Sequence, residues 1–383
     1  MDNIEFNKKP LLNNFVEVDD KIWFWDIRHN GLYFCDKKNN YVEGIELECY
    51  KTYDLSKGTL YSKLCLYKKS IIAVPWMAEE ILIINVGSYQ ERYIKLKDFE
   101  WDENALKRGK FWDVVCMDEF AYFIGYGSSC LLKFNLEEEV IEAVVDLYQD
   151  RIKVENKVCF KFAGIMDKNL IIPACTDNIV FIVNADTLQF SIKCINPVEH
   201  GFSAIHIIDD QIWLSPRRVD PIVCWDIQKD SVTCYNEYPK NFELGDSTSM
   251  GSIERIGEKL YFFPLKASAI LELDLSTGRM DVEKNLNAYI RKYVNDENQS
   301  VQKYCLTGNF NGTVYAYSRI NNCFIWFDPI SGEVGEWELQ FTEKEYDKFQ
   351  TRLVQSILRT NQLVNEGEIR LIDFVNYIQE QNV

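Results

Sequence analysis

An apolar residue followed by Asp or Asn recurs along this chain at nearly constant spacing. It occurs at Cys35-Asp36, Ile84-Asn85, Phe134-Asn135, Val183-Asn184, Trp225-Asp226, Leu273-Asp274 and Phe327-Asp328. The intervals are 49, 50, 49, 42, 48 and 54 residues. A second marker keeps step with the first. A polar turn precedes an apolar run at Asp19-Asp20-Lys21, Lys68-Lys69-Ser70, Asp118-Glu119, Asp167-Lys168-Asn169, Asp209-Asp210-Gln211, Gly257-Glu258-Lys259 and Asn311-Gly312-Thr313. The runs read IWFW, IIAV, AYFI, LIIP, IWLS, LYFF and VYAY. Two markers in phase, seven times over, identify one supersecondary unit stacked on copies of itself.

The unit is legible in its first copy, residues 14–47. Four strand-length segments, Phe15–Val18, Ile22–Trp25, Leu32–Cys35 and Tyr41–Leu47, alternate with three polar turns. A lone four-stranded sheet cannot bury both faces, whereas seven arranged around an axis can. No Pro/Gly/Ser-rich linker divides the repeats into separate domains. The expected fold class is therefore all-β: a seven-bladed β-propeller of four-stranded antiparallel blades over residues 1–341. The blades fall near 14–50, 60–98, 110–149, 157–197, 201–240, 249–289 and 304–341. Residues 1–10 offer a further edge strand, Ile4-Glu5-Phe6, beside the last blade. Blades one and seven both look complete, so nothing in the pattern demands strand exchange. The connections 97–110 and 285–303 are long and partly helix-compatible, and 238–250 is loop-like.

The pattern resembles the seven-bladed propellers of the kelch, YVTN and streptogramin-lyase-like groups over about residues 14–341. The Gly-Gly pair of kelch repeats is missing. Trp25-Asp26 and Trp225-Asp226 match the WD dipeptide but sit at different strand positions. The resemblance implies an architecture, which does not by itself imply a function. The streptogramin-lyase likeness also implies a ring-opening elimination, with a metal held among His and Glu in the central channel. No motif for such a site is present.

Residues 342–383 read as a short C-terminal α-helical tail. Thr342-Glu343-Lys344-Glu345 has the form of a capping box, with Thr342 accepting from the Glu345 amide and Glu345 reaching back. Tyr346, Phe349, Leu353 and Ile357 follow at helical spacing. A second helix is expected around Leu371–Gln379. The tail either covers one side of the propeller or docks a partner.

Composition narrows the function classes. The formal net charge of −17 argues against nucleic acid as a partner, since phosphate binding needs a basic face. No segment approaches the ~20 apolar residues of a membrane span. The N-terminal residues lack the apolar core of a signal peptide, so the expected location is cytoplasmic. The 12 cysteines include no CxxC pair and no zinc-like spacing, so they are expected to be reduced and no metal or cofactor is implied.

Catalytic candidates are few. Of the 3 histidines, His206 lies inside an apolar strand, while His200 and His29 are placed where both face one end of the channel. No GxSxG, P-loop, HExxH or GxGxxG occurs. The turns between second and third strands are more informative, because strand alternation gathers all seven at one end of the ring. They contribute Arg28, His29, Trp76, Tyr126, Arg217, Arg218, Lys266 and Arg319. Guanidinium groups bind carboxylate or phosphate bidentately, and aromatic faces stack on sugars. The opposite end carries Asp19-Asp20, Asp118-Glu119 and Asp209-Asp210. These residues point to a non-catalytic binding or scaffold propeller, with a protein partner or an anionic or carbohydrate ligand at the basic, aromatic end. The alternative is a lyase or hydrolase acting on an anionic sugar or peptide at the same mouth. The bland reading of the basic residues is that each pairs with a neighbouring carboxylate.

Overall fold

A computed structural model describes residues 9–36, 39–55, 58–96, 101, 103–148, 158–245, 248–291, 304–310, 313–318, 323–328 and 330–360. The chain forms seven four-stranded antiparallel sheets arranged as a propeller. Blade 1 runs Leu12–Val18, Lys21–Asp26, Gly31–Asp36 and Tyr41–Gly44, and blade 2 runs Tyr61–Tyr67, Ser70–Pro75, Glu80–Asn85 and Glu91–Lys95. Blade 3 comprises Phe111–Met117, Phe120–Gly125, Cys130–Asn135 and Val140–Asp146. Blade 4 comprises Gly164–Met166, Asn169–Pro173, Ile179–Asn184 and Phe190–Cys194. Blade 5 is Phe202–Ile208, Gln211–Pro216, Ile222–Asp226 and Ser231–Tyr235, and blade 6 is Met250–Ile256, Lys259–Pro264, Leu271–Asp274 and Met280–Val282. Blade 7 is Tyr304–Phe310, Thr313–Ser318, Cys323–Phe327 and Val334–Glu338. First strands of neighbouring blades lie against one another around the whole ring, including blade 7 on blade 1, so they surround the axis.

The core explains the apolar runs. Each second strand is buried on both faces, and its alternate residues serve two different seams. Ile22 and Phe24 of blade 1 pack toward blade 7, while Trp23 and Trp25 pack toward blade 2. Ile71 and Ala73 of blade 2 return that contact, and Ile72 and Val74 face blade 3. The rule continues through Ala121 and Phe123 against Tyr122 and Ile124. It holds again for Leu260 and Phe262 against Tyr261 and Phe263. A strand buried on both faces reads as a continuous run rather than an alternation.

The Asp/Asn markers have a local cause. Asn85 Oδ1 accepts the Gly87 and Ser88 amides, both at 3.0 Å. Asn135, Asn184, Asp274 and Asp328 each take two amides of their own turns in the same way. The side chain thus closes the turn between third and fourth strands. The Ser276 hydroxyl, then the Thr277 amide and hydroxyl, donate to Asp274 and hold its carboxyl down at about 2. The turns between first and second strands place Asp19, Lys68, Asp118, Asp167 and Asp209 at φ of 51–55°. A positive φ there suits the hairpin turns whose twist matches the strands.

Among the described residues, four helices decorate the ring: α1 (Cys49–Thr52), α2 (Glu103–Arg108), α3 (Asn285–Arg291) and α4 (Glu343–Thr360). The first three occupy connections between blades. Every blade supplies its own four strands, and a fifth, Gln340–Phe341, lies parallel to the outer strand of blade 1. Chain closure therefore adds an edge strand to blade 1 without exchanging one. The Ile4-Glu5-Phe6 strand and the second tail helix around Leu371–Gln379 lie outside the described residues.

Helix α4 packs on blade 1. Tyr346 and Phe349 join Tyr33, Phe341 and the blade 7–blade 1 seam. Thr342 Oγ1 accepts the Glu345 amide at 3.2 Å, as the sequence predicts. The reciprocal half of the capping box is not made. The Glu345 carboxylate instead accepts the Gly44 amide at 3.2 Å, because Gly44 ends an outer strand with a donor otherwise unpaired.

Candidate functional site

The end of the ring where first strands begin is built from two repeated features. The first is a hydrogen bond. In blades 1 to 6, a residue just after the second strand donates its amide to a residue just before the first strand of the same blade. These bonds run Ile27 to Leu11, Trp76 to Leu60, Tyr126 to Lys110, Cys175 to Cys159, Arg217 to Gly201 and Leu265 to Ser249, at 2.8–3.0 Å. The same bond thus fixes Trp76, Tyr126, Cys175, Arg217 and Leu265 at equivalent positions.

The second feature is a bulge at the start of the first strand. Its register against the second strand shifts at Leu12/Phe15, Tyr61/Leu64, Ile124/Gly125, Phe202/Ala204, Met250/Ser252 and Tyr304/Leu306. The extra residues include Trp112, Ser203 and Gly251. A bulge leaves a residue unpaired and re-aims its side chain. The intervals between the Asp/Asn markers also separate Asn13, Ser62, Trp112, Lys161, Ser203 and Gly251. Lys161 therefore holds the bulge position of blade 4, whose first strand is reduced to Gly164–Met166 and an isolated Phe160–Ala174 bridge.

The two features converge on a cavity of about 70 Å³ across blades 3 to 6. It is lined by Trp112, Tyr126, Val158, Lys161, Cys175, Phe202, Ser203, Arg217, Thr248 and Leu265. Two cations and no carboxylate line it. Trp112 stacks on Tyr126 with ring centroids 5.1 Å apart, and Trp76 packs on both at 5.3 and 4.7 Å. Lys161 Nζ sits 5.5 Å from the Trp112 ring centroid. Arg217 Nη1 donates to the Cys175 carbonyl at 3.0 Å, which steadies the guanidinium at the wall. The Trp112 indole N–H is buried and finds no acceptor among the described residues. Burial pushes the Cys175 thiol up to about 11 against the opposing pull of Arg217 and Lys161. A protonated thiol is a weak nucleophile, so the cavity offers donors rather than a reactive sulfur.

Of the residues expected from sequence, Tyr126 and Arg217 meet in this cavity, and Trp76 supports it from behind. Arg218 and Lys266 stand one residue further along the same turns, Arg218 exposed and Lys266 half-buried. Neither these two nor Arg217 makes an ion pair among the described residues, unlike Lys63, whose Nζ lies 2.9 Å from Asp113. The carboxylate-pairing reading therefore does not hold for them. Arg28 is exposed in blade 1 and donates to the Lys9 carbonyl at 3.1 Å. His29 is sealed away from the mouth, 1% exposed. Its Nδ1 donates to Asp26 Oδ2 at 2.6 Å, and its ring meets Phe341 and Phe349 edge-on. Arg319 lies outside the described residues. Trp112, Lys161 and Ser203 carry no turn marker and stand out in the sequence only by their phase with the repeat.

The histidines do not gather. His29 is under α4, His200 pairs with Asp220 at 3.1 Å, and His206 is half-buried in a first strand. No group of three or more His, Cys, Asp or Glu is placed to hold a metal ion among the described residues.

No family model matches the chain, and no curated protein matches it in sequence. Its likeness to solved structures is one of fold. A catalytically inactive virginiamycin B lyase from Staphylococcus aureus with quinupristin superposes with TM-score 0.61 at 12% identity, covering 87% of this chain and 97% of that one. A streptogramin B lyase gives 0.58 at 12%, covering 86% and 94%. The WD40 domain of Neurospora crassa Pan2 gives 0.55 at 10%, covering 85% and 91%. The chain is a seven-bladed β-propeller. No helix among the described residues is long and apolar enough to cross a membrane.

Proposed function

We propose that this propeller is a non-catalytic binding module that captures an anionic headgroup in the blade 3–6 cavity. The observation that carries the reading is the lining itself. Arg217 and Lys161 face a recess with no carboxylate, in a chain of net charge −17. An isolated basic recess in an acidic surround focuses the field on an incoming anion. The orphan Trp112 N–H supplies one more donor, and a buried donor without an acceptor costs about 1–3 kcal/mol until one arrives.

Size selects the ligand group. One water needs about 10–15 Å³ on this measure, so 70 Å³ holds roughly five. That suits a carboxylate, phosphate or sulfate and is small for a sugar ring. The remainder of the ligand then lies over Trp76, Arg218 and Lys266 at the rim. An acidic peptide segment of a protein partner and a charged saccharide both present such a group.

The test is calorimetric titration of the protein with inorganic phosphate, sulfate and glucuronate at low ionic strength, against glucose as the neutral control. Binding of at least one anion is expected. Arg217→Ala and Lys161→Ala should each weaken it at least tenfold, and Asp20→Ala should leave it unchanged. Equal affinity for glucose, or no effect of Arg217→Ala, overturns the reading.

A further inference from the structure

The innermost strands of blades 2 and 3 are stitched along their seam, outside the cavity just described. Ser62 Oγ donates to the Phe111 and Trp112 carbonyls at 3.0 and 3.2 Å. Lys63 Nζ pairs with Asp113 Oδ1 at 2.9 Å. Further along the same two strands, Cys65 Sγ and Cys116 Sγ are 2.6 Å apart. Both are free thiols and half-buried, packed against the apolar cluster between the blades. The polar stitches fix the relative register of the two strands, so the sulfurs meet as a consequence of the fold rather than of side-chain motion alone. Disulfide formation needs sulfurs that can close to about 2.05 Å without moving the backbone far.

We propose that Cys65 and Cys116 are a redox-modification site, oxidised to an inter-blade disulfide by a low-molecular-weight disulfide such as oxidised glutathione. One thiolate attacks a glutathione sulfur, forming a mixed disulfide and releasing one glutathione thiol. The second thiol then displaces the other glutathione. Two S–H bonds and the glutathione S–S bond break, and one protein S–S bond forms. The two electrons and two protons end on two reduced glutathione molecules. The new bond closes a loop of about 50 residues and ties two first strands together beside the axis. The bond between the two thiols and their burial hold Cys65 well above the ordinary thiol range. Since the thiolate is the attacking species, oxidation is slow at neutral pH and accelerates as pH rises.

The full-length protein is incubated with oxidised glutathione at neutral and mildly alkaline pH, blocked with iodoacetamide, digested with trypsin without reduction and mapped by mass spectrometry. The expected product links the peptide 64–68 to the peptide 111–133. The second peptide also carries Cys130, so fragmentation assigns the bond. The link should be at Cys116, form faster at the higher pH and vanish on reduction. It should survive Cys130→Ser and be absent from Cys116→Ser. Melting temperature should rise by a few degrees in the oxidised protein alone. Recovery of both peptides blocked or singly glutathionylated overturns the proposal, as does a link that persists in Cys116→Ser. The mapping on unsubstituted protein decides the matter even if a serine variant fails to fold.

Discussion

The Glu345 carboxylate accepts the Gly44 amide at 3.2 Å, joining the first turn of α4 to the outer strand of blade 1 across 301 residues of sequence. The same side chain takes Lys348 Nζ at 2.7 Å. Further along α4, Arg352 Nη2 donates to the Tyr33 hydroxyl at 2.8 Å and its guanidinium lies 4.4 Å from the Tyr50 ring centroid. Leu55 donates its amide to Ser356 Oγ at 2.7 Å. The helix is therefore fastened to blade 1 and to the connection that follows it at several points. Its apolar residues Tyr346 and Phe349 cover His29 and Phe341.

Replacing Glu345 tests that fastening. Glu345→Ala leaves the Gly44 amide without its acceptor and should lower unfolding free energy by about 1–2 kcal/mol. Glu345→Gln keeps an acceptor and should cost less. Guanidinium titration followed by fluorescence measures both. An Ala variant as stable as the parent protein would show that the bond contributes nothing.

Gly109 supports the aromatic wall of the cavity. It sits at φ +97°, and a Cβ there would fall 2.2 Å from the Trp76 ring. Gly109→Ala should therefore cost upwards of ~1 kcal/mol and displace Trp76 from Tyr126. The expected signature is a changed tryptophan emission together with weaker anion binding. Unchanged emission and stability would contradict the packing.

His206 should make the protein sensitive to mild acid. Burial lowers its folded-state value below the ordinary 6.5, with Arg255 acting in the same direction and the bond to Ile253 opposing. The unfolded chain then binds the proton more readily than the folded one. Stability is full above about 6.5 and falls as pH drops through the lowered folded value, beyond which this contribution is flat. Denaturant midpoints measured between pH 7.5 and 5 should fall, and the fall should be smaller in His206→Gln. Parallel pH profiles for the two proteins would assign the acid sensitivity elsewhere.

The sequence by itself determined the ring and its count. Those signals are local. Asn85 and Asp274 close their own turns within three residues, and Trp23 and Phe24 are both apolar because the strand that carries them has a blade on each side. Phase also placed Tyr126 and Arg217 at one end. What no local rule contains is which side chain meets which. His29 stands in the same kind of turn as Arg217, yet α4, more than 300 residues away in sequence, docks over it. Trp112, Lys161 and Ser203 came to line one cavity through bulges, which depend on pairing between strands rather than on either strand alone. Glu345 left its own helix cap because the Gly44 amide, distant in sequence, had no other acceptor. Periodicity determines the scaffold because burial repeats with it; the cavity, the lock on blade 1 and the Cys65–Cys116 contact were decided by tertiary packing, which brings together residues that no spacing relates.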